Sequence, residues 1–195
     1  MSCHEGRLKG KGIVGKKSNM RIPESEIRKA NFTVLQNSSL MAPYMDKHMN
    51  INLGKSEAWI TRHHIDSFAV WLRRKLMGDS TIDVQLQWLA RGPSATIIQY
   101  QGYEINGYTF YTRAQDEKST NQNSGVRDGN KDTYFGVIEE IWELDYGPLK
   151  IPMFWCQLVN RVGGGVTTDR YGMTIVNFKK IGYKDEPFTL AKDVT

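Results

Sequence analysis

The chain has 195 residues, 39% hydrophobic and 24% charged, enough to pack one ordinary domain or two small ones. No apolar run approaches the roughly 18–20 residues of a membrane span, and the basic start MSCHEGRLKGKG lacks the apolar stretch of a secretory signal, so we expect an intracellular protein with no membrane partner. The net charge of +5 sits on residues 1–30, with eight Lys/Arg against three Glu, whereas residues 31–195 carry 18 of each sign.

Residues 1–21 are glycine-rich and basic, with little to bury, and read as a disordered arm. Arg7, Lys9, Lys11, Lys16 and Lys17 would meet phosphates there, without sequence preference and with an affinity that falls with salt. A nuclear-import signal is the alternative. Within the arm, Gly10-Lys-Gly-Ile-Val-Gly15-Lys16-Lys17 fits both GxGxxG and GxxxxGK. Both patterns need a buried strand to aim the loop, and Lys17 stands where a P-loop needs Ser or Thr, so a nucleotide loop is not expected.

Residues 22–92 read as helical. A first helix over 23–36 opens at Pro23 with Glu24 and Glu26 behind it, and buries Ile27, Ala30, Val34 and Leu35. A second, over 40–49, carries Met41, Tyr44, Met45 and Met49, a spacing that suits core filling. The strongest helix spans 56–77, with Ile60, His64, Phe68, Trp71, Leu72 and Leu76 on one stripe. Arg73, Arg74 and Lys75 near its end read as a solvated face or as contacts to a nucleic-acid backbone. His63 and His64 diverge by about 100° and do not chelate together, so no metal site is expected. A fourth helix follows Ser80, with Ser80 and Asp83 approximating a capping box and Gly92-Pro93 as the stop.

The period then changes to two. Residues 95–115 read as a hairpin, because Asn106-Gly107 between alternating runs favours a turn with positive φ at both positions. Residues 116–132 read as a flexible loop, with a short strand at Ser124–Arg127. Tyr134–Tyr146 and Lys150–Val159, joined by Gly147-Pro148, form the next pair of strands. The second is apolar on both faces, with Met153, Trp155 and Gln157 on one and Phe154, Cys156 and Leu158 on the other, so it belongs at the centre of a sheet. Cys156 then reads as a small buried hydrophobe, and a disulfide with Cys3 is not expected. A glycine loop at 161–170, a strand at 173–178 and a last strand from Pro187 complete the chain.

Glu139, Glu140, Glu143 and Asp145 form the densest carboxylate group. They read as the solvated side of a half-buried strand, with a magnesium ion or a basic partner as the alternative. No GxSxG, HExxH, CxxC or EF-hand spacing occurs, and all four histidines precede residue 65, so neither catalysis nor a cofactor is expected.

Several strings stand in one order: His64-x3-Phe68-x2-Trp71; Trp88-Leu-Ala-Arg-Gly-Pro-Ser94; Tyr100-Gln-Gly-Tyr-Glu-Ile-Asn-Gly-Tyr-Thr-Phe110; Gln122-Asn-Ser-Gly-Val126; Tyr134-Phe-Gly-Val-Ile-Glu-Glu-Ile-Trp-Glu-Leu144; and Tyr183-Lys-Asp-Glu-Pro-Phe188 before Leu190-Ala191. Over residues 22–195 this order resembles the C-terminal region of plant CACTA (En/Spm-like) transposon proteins, including a domain of unknown function at about 132–195. The resemblance implies a nuclear, transposon-derived protein without the catalytic core, with DNA, chromatin or other transposon proteins as partners. It carries over no site residues. An aromatic-valine strand usual in that family after Leu190-Ala191 is expected to be missing here, which would leave a remnant without activity as a further alternative.

By shape, the strands from 134 onward look like those of bromo-adjacent-homology (BAH) and Tudor-like barrels, which bind histone tails. Tyr134, Trp142, Trp155 and Tyr171 could form an aromatic cage for methyl-lysine, or be core aromatics of a small barrel. The expected fold is therefore α+β: N-terminal helices leading into a mostly antiparallel small β-barrel, SH3-like, BAH-like or partly open, over 133–195.

Overall fold

The computed structural model describes residues 12–51, 55–77, 81–128, 134–160, 164–183 and 186–195. Its elements run β1 (Gly12–Arg21), α1 (Glu24–Gln36), α2 (Ala42–Ile51), α3 (Glu57–Leu76), α4 (Val84–Arg91), β2 (Thr96–Ile105), β3 (Tyr108–Tyr111), α5 (Arg113–Asp116), β4 (Gly125–Asp128), β5 (Tyr134–Asp145), β6 (Lys150–Leu158), β7 (Val166–Thr168), β8 (Thr174–Val176) and β9 (Phe188–Leu190).

The expected barrel does not form. Among the described residues seven strands make one large antiparallel sheet whose order is β1-β2-β5-β6-β9, with β3 joined to β2 and β4 to β5, and these strands do not close into a barrel. Nor do helices simply precede strands: β1 comes before all of them, and α5 follows the first hairpin. Residues 12–21, expected in a disordered arm, are this edge strand, which rules out a phosphate loop over Gly12–Lys17. Lys17 and Arg21 are exposed on β1, a composition that discourages further strand pairing at an edge.

The chain divides into two compact units. One comprises Met20–Ile97 and Leu144–Ile151. Here α3 packs against α1, α2 and α4. Its predicted stripe is the core: His64, Phe68 and Leu72 are buried, as are Ile27, Ala30, Val34 and Leu35 of α1. Helix α4 starts later than expected, because Asp83 itself is the cap and accepts from Gln85 N at 2.7 Å. The turn after β5 belongs to this unit: Tyr146 is buried, and its hydroxyl donates to Asn31 Oδ1 at 2.8 Å.

The other unit comprises Met1–Asn19, Ile98–Glu143 and Pro152–Thr195. Its core holds Tyr100, Ile105, Phe110, Val126, Ile138, Ile141, Phe154, Cys156, Leu158, Ala191 and Val194. The Asn106-Gly107 turn forms as predicted, with φ of 56° and 82°, and pairs Ile105 with Tyr108. The stretch after it is not a plain loop: buried Asp116, at the end of α5, accepts from Asn123 N and Ser124 N and leads the chain into β4. β6 lies between β5 and β9, as its two apolar faces required. Along β5 the alternation slips by one residue between Ile138 and Ile141, both of which enter the same core.

Candidate functional site

Of the basic residues singled out above, Arg7, Lys9 and Lys11 lie outside the described residues, as does the Lys16 side chain, and Lys17 is exposed on β1. Arg73 is committed to structure. Its guanidinium donates to Ala90 O at 3.3 Å and to Arg91 O, and so satisfies carbonyls at the end of α4. Arg74 and Lys75 are exposed at the end of α3.

The four expected cage aromatics do not converge. Trp142 is only 2% exposed, and its ring centroid lies 6.2 Å from Trp155 and 4.9 Å from Phe188, so it is packed in a cluster. Its indole N–H is satisfied by Glu140 at 2.7 Å. Tyr134 stands eight residues back along β5, roughly 26 Å at a strand's rise, and packs edge-on to Tyr183 at 4.8 Å. Tyr171 is exposed between β7 and β8.

The four carboxylates of β5 are half-exposed, and each has a specific partner. Glu139 meets Arg113 at 3.2 Å. Glu140 accepts from Gln99 Nε2 at 2.9 Å as well as from Trp142. Glu143 is hydrogen-bonded to the Tyr100 hydroxyl, and burial together with this carboxylate pushes that phenol well above its ordinary pKa. Asp145 pairs with Lys150 and accepts from Gly147 N, which hold its carboxyl below the usual range. Each carboxylate is thus held by a specific partner, an arrangement that orders the sheet. Among the described residues no group of three His, Cys, Asp or Glu side chains could hold a metal ion. Cys156 is a buried free thiol, and desolvation pushes its pKa up, away from nucleophilic use.

The surface that stands out is a two-stranded ribbon, β7 with β8, in register Val166↔Val176, Thr167↔Ile175 and Thr168↔Thr174. Asp169 builds its turn by accepting from Tyr171 N and Met173 N, both at 2.8 Å, with Gly172 at φ 80°. Its base is anchored to the end of β6 by the Val159–Ile181 bridge and by Gly182 N donating to Leu158 O at 2.9 Å. Six large apolar side chains are exposed within residues 171–183: Tyr171, Met173, Ile175, Phe178, Ile181 and Tyr183. Over residues 164–183 Arg170, Lys179 and Lys180 stand against Asp169 alone, and the Arg170 guanidinium lies 4.7 Å over the Tyr171 ring. Exposed apolar side chains gathered in one segment in this way make it the candidate contact surface. Sequence reasoning divided this segment into a glycine loop and a strand, because strands of three residues are too short to show a period. The alternation of aromatic and basic residues from Arg170 to Tyr183 was the available signal.

Compared with known protein families, curated proteins and solved structures, the chain matches none. Among the described residues no helix is long and apolar enough to cross a membrane.

Proposed function

We propose that the chain is a non-catalytic, nuclear accessory protein of transposon origin that associates with nucleic acid through the β7–β8 ribbon. The exposed aromatic and basic composition of that ribbon carries the proposal. Aromatic faces stack on bases, each stacked base contributing about 1–3 kcal/mol, while cations follow the phosphates. Tyr171 and Phe178 supply the faces, and Arg170 and Lys179 the charge. The ordered strings from His64 to Ala191 support the transposon origin by their resemblance to CACTA proteins. A remnant without activity is disfavoured by a buried interior in which, among the described residues, every buried side-chain nitrogen and oxygen has a partner.

The test is fluorescence anisotropy with labelled single-stranded and duplex DNA across a salt series. Tyr171→Ala with Phe178→Ala should weaken single-strand binding by roughly 30-fold or more, since two stacked bases are lost. Arg170→Gln with Lys179→Gln should reduce the salt slope. Equal binding by the parent and both double variants would overturn the proposal. If only Arg74→Gln with Lys75→Gln weakened binding, the contact would belong to α3 instead.

A further inference from the structure

His48 of α2 and His64 of α3 are both buried, and His48 Nδ1 lies 3.3 Å from His64 Nε2. On its other side, His48 Nε2 lies 3.4 Å from Ser67 Oγ. The Ser67 hydroxyl donates to the His63 carbonyl at 2.6 Å, which uses its one proton. Ser67 therefore accepts from His48 Nε2–H, and His48 Nδ1 is left as the lone-pair nitrogen that accepts from His64 Nε2–H. The chain of hydrogen bonds runs one way only, from His64 through His48 and Ser67 to a backbone carbonyl, and both imidazoles are neutral.

We propose that this relay is an acid-sensitive latch between α2 and α3: acid charges two buried imidazoles that their apolar surroundings keep neutral, and once both are protonated N–H donors oppose each other across the contact and α2 is released. The surroundings favour the neutral state. The His64 ring packs edge-on to Phe32 of α1 at 6.2 Å, and the His48 ring lies 5.4 Å from Phe68 and 5.1 Å from Trp71, both of α3. His63 stacks parallel to His48 at 6.0 Å and brings no negative charge. On α1, Arg28 pairs with Glu24 and Asp66, and Lys29 pairs with Glu26. Arg62 and Asp66 of α3 and Asp46 and Lys47 of α2 are exposed.

Desolvation, with the neighbouring His64 and His63, lowers the His48 pKa from 6.5 to about 4, and desolvation lowers that of His64 as well. Below pH 6.5 the unfolded chain takes up protons that the folded chain refuses. The latch is thus fully closed above about pH 6.5 and weakens as pH falls toward 4. The sequence does not show this pairing, because the two histidines lie 16 positions apart on different helices.

The experiment is amide hydrogen exchange on the full chain at pH 7.5 and 5.0, corrected for intrinsic rates, with α4 as the internal reference. Protection in α2 should fall at least tenfold more than protection in α4. His48→Gln keeps a donor and an acceptor but does not titrate, and should reduce that difference to under twofold. His64→Gln serves the same purpose if the first variant does not fold. An NMR titration of the unaltered protein gives an independent readout, in which the His48 ring should titrate well below 6.5. A His48 midpoint near 6.5, or an equal pH-dependent loss of protection in the parent and a folded variant, would overturn the latch.

Discussion

The Trp142 indole donates to Glu140 from two residues farther along the same strand, at 2.7 Å, and Gln99 of the neighbouring strand donates to the same oxygen at 2.9 Å. One carboxylate therefore satisfies two donors from adjacent strands, beneath a cluster of Trp142, Trp155 and Phe188. Glu140→Leu leaves both donors without a partner and should destabilise the chain by about 2–6 kcal/mol, at about 1–3 kcal/mol for each donor. Glu140→Gln retains one acceptor and should lose less. Urea denaturation followed by tryptophan fluorescence compares them; equal midpoints for Glu140→Leu and the parent would show that the bonds contribute nothing.

Arg73 shows how a side chain that reads as a phosphate contact can be used internally. Arg73→Ala removes donors to two carbonyls of the α4 terminus and should cost about 1–2 kcal/mol. Arg73→Lys should recover only part of this, since an ammonium cannot reproduce the planar fork. Arg74→Ala, at an exposed position, should stay within about 0.5 kcal/mol of the parent. Thermal melts of the three variants provide the comparison.

Tyr146→Phe removes the hydroxyl that satisfies buried Asn31 and should destabilise by about 1–3 kcal/mol. Burial also pushes the pKa of Tyr146 up, and that of Tyr100 with it. Stability from these phenols is full below pH 10, their ordinary value, and declines above it as the unfolded chain ionises first. Phenolate absorbance from both residues should therefore appear together with unfolding in an alkaline titration.

Cys156 should resist alkylation while the chain is folded, since its thiol is buried and held protonated. Iodoacetamide labelling of a Cys3→Ser variant, followed by mass spectrometry, should show modification only in denaturant. Rapid labelling of the native protein would mean that β6 opens readily.

What the sequence by itself determined was local. The period of α3 set its buried stripe, Asn106-Gly107 set the hairpin because its conformation depends on those two residues, and the two apolar faces of β6 required strands on both sides. The tertiary structure decided everything that depends on partners distant in the chain. It placed residues 12–21 on a sheet edge and left the sheet open, and it assigned Arg73 to the carbonyls of α4 and Trp142 to the interior of a cluster. It also brought His48 to His64. Composition distinguishes apolar from polar positions, and periodicity distinguishes faces. Neither specifies which donor meets which acceptor once the chain returns on itself, and that pairing decides whether a charged or aromatic side chain is available for function or already used by the fold.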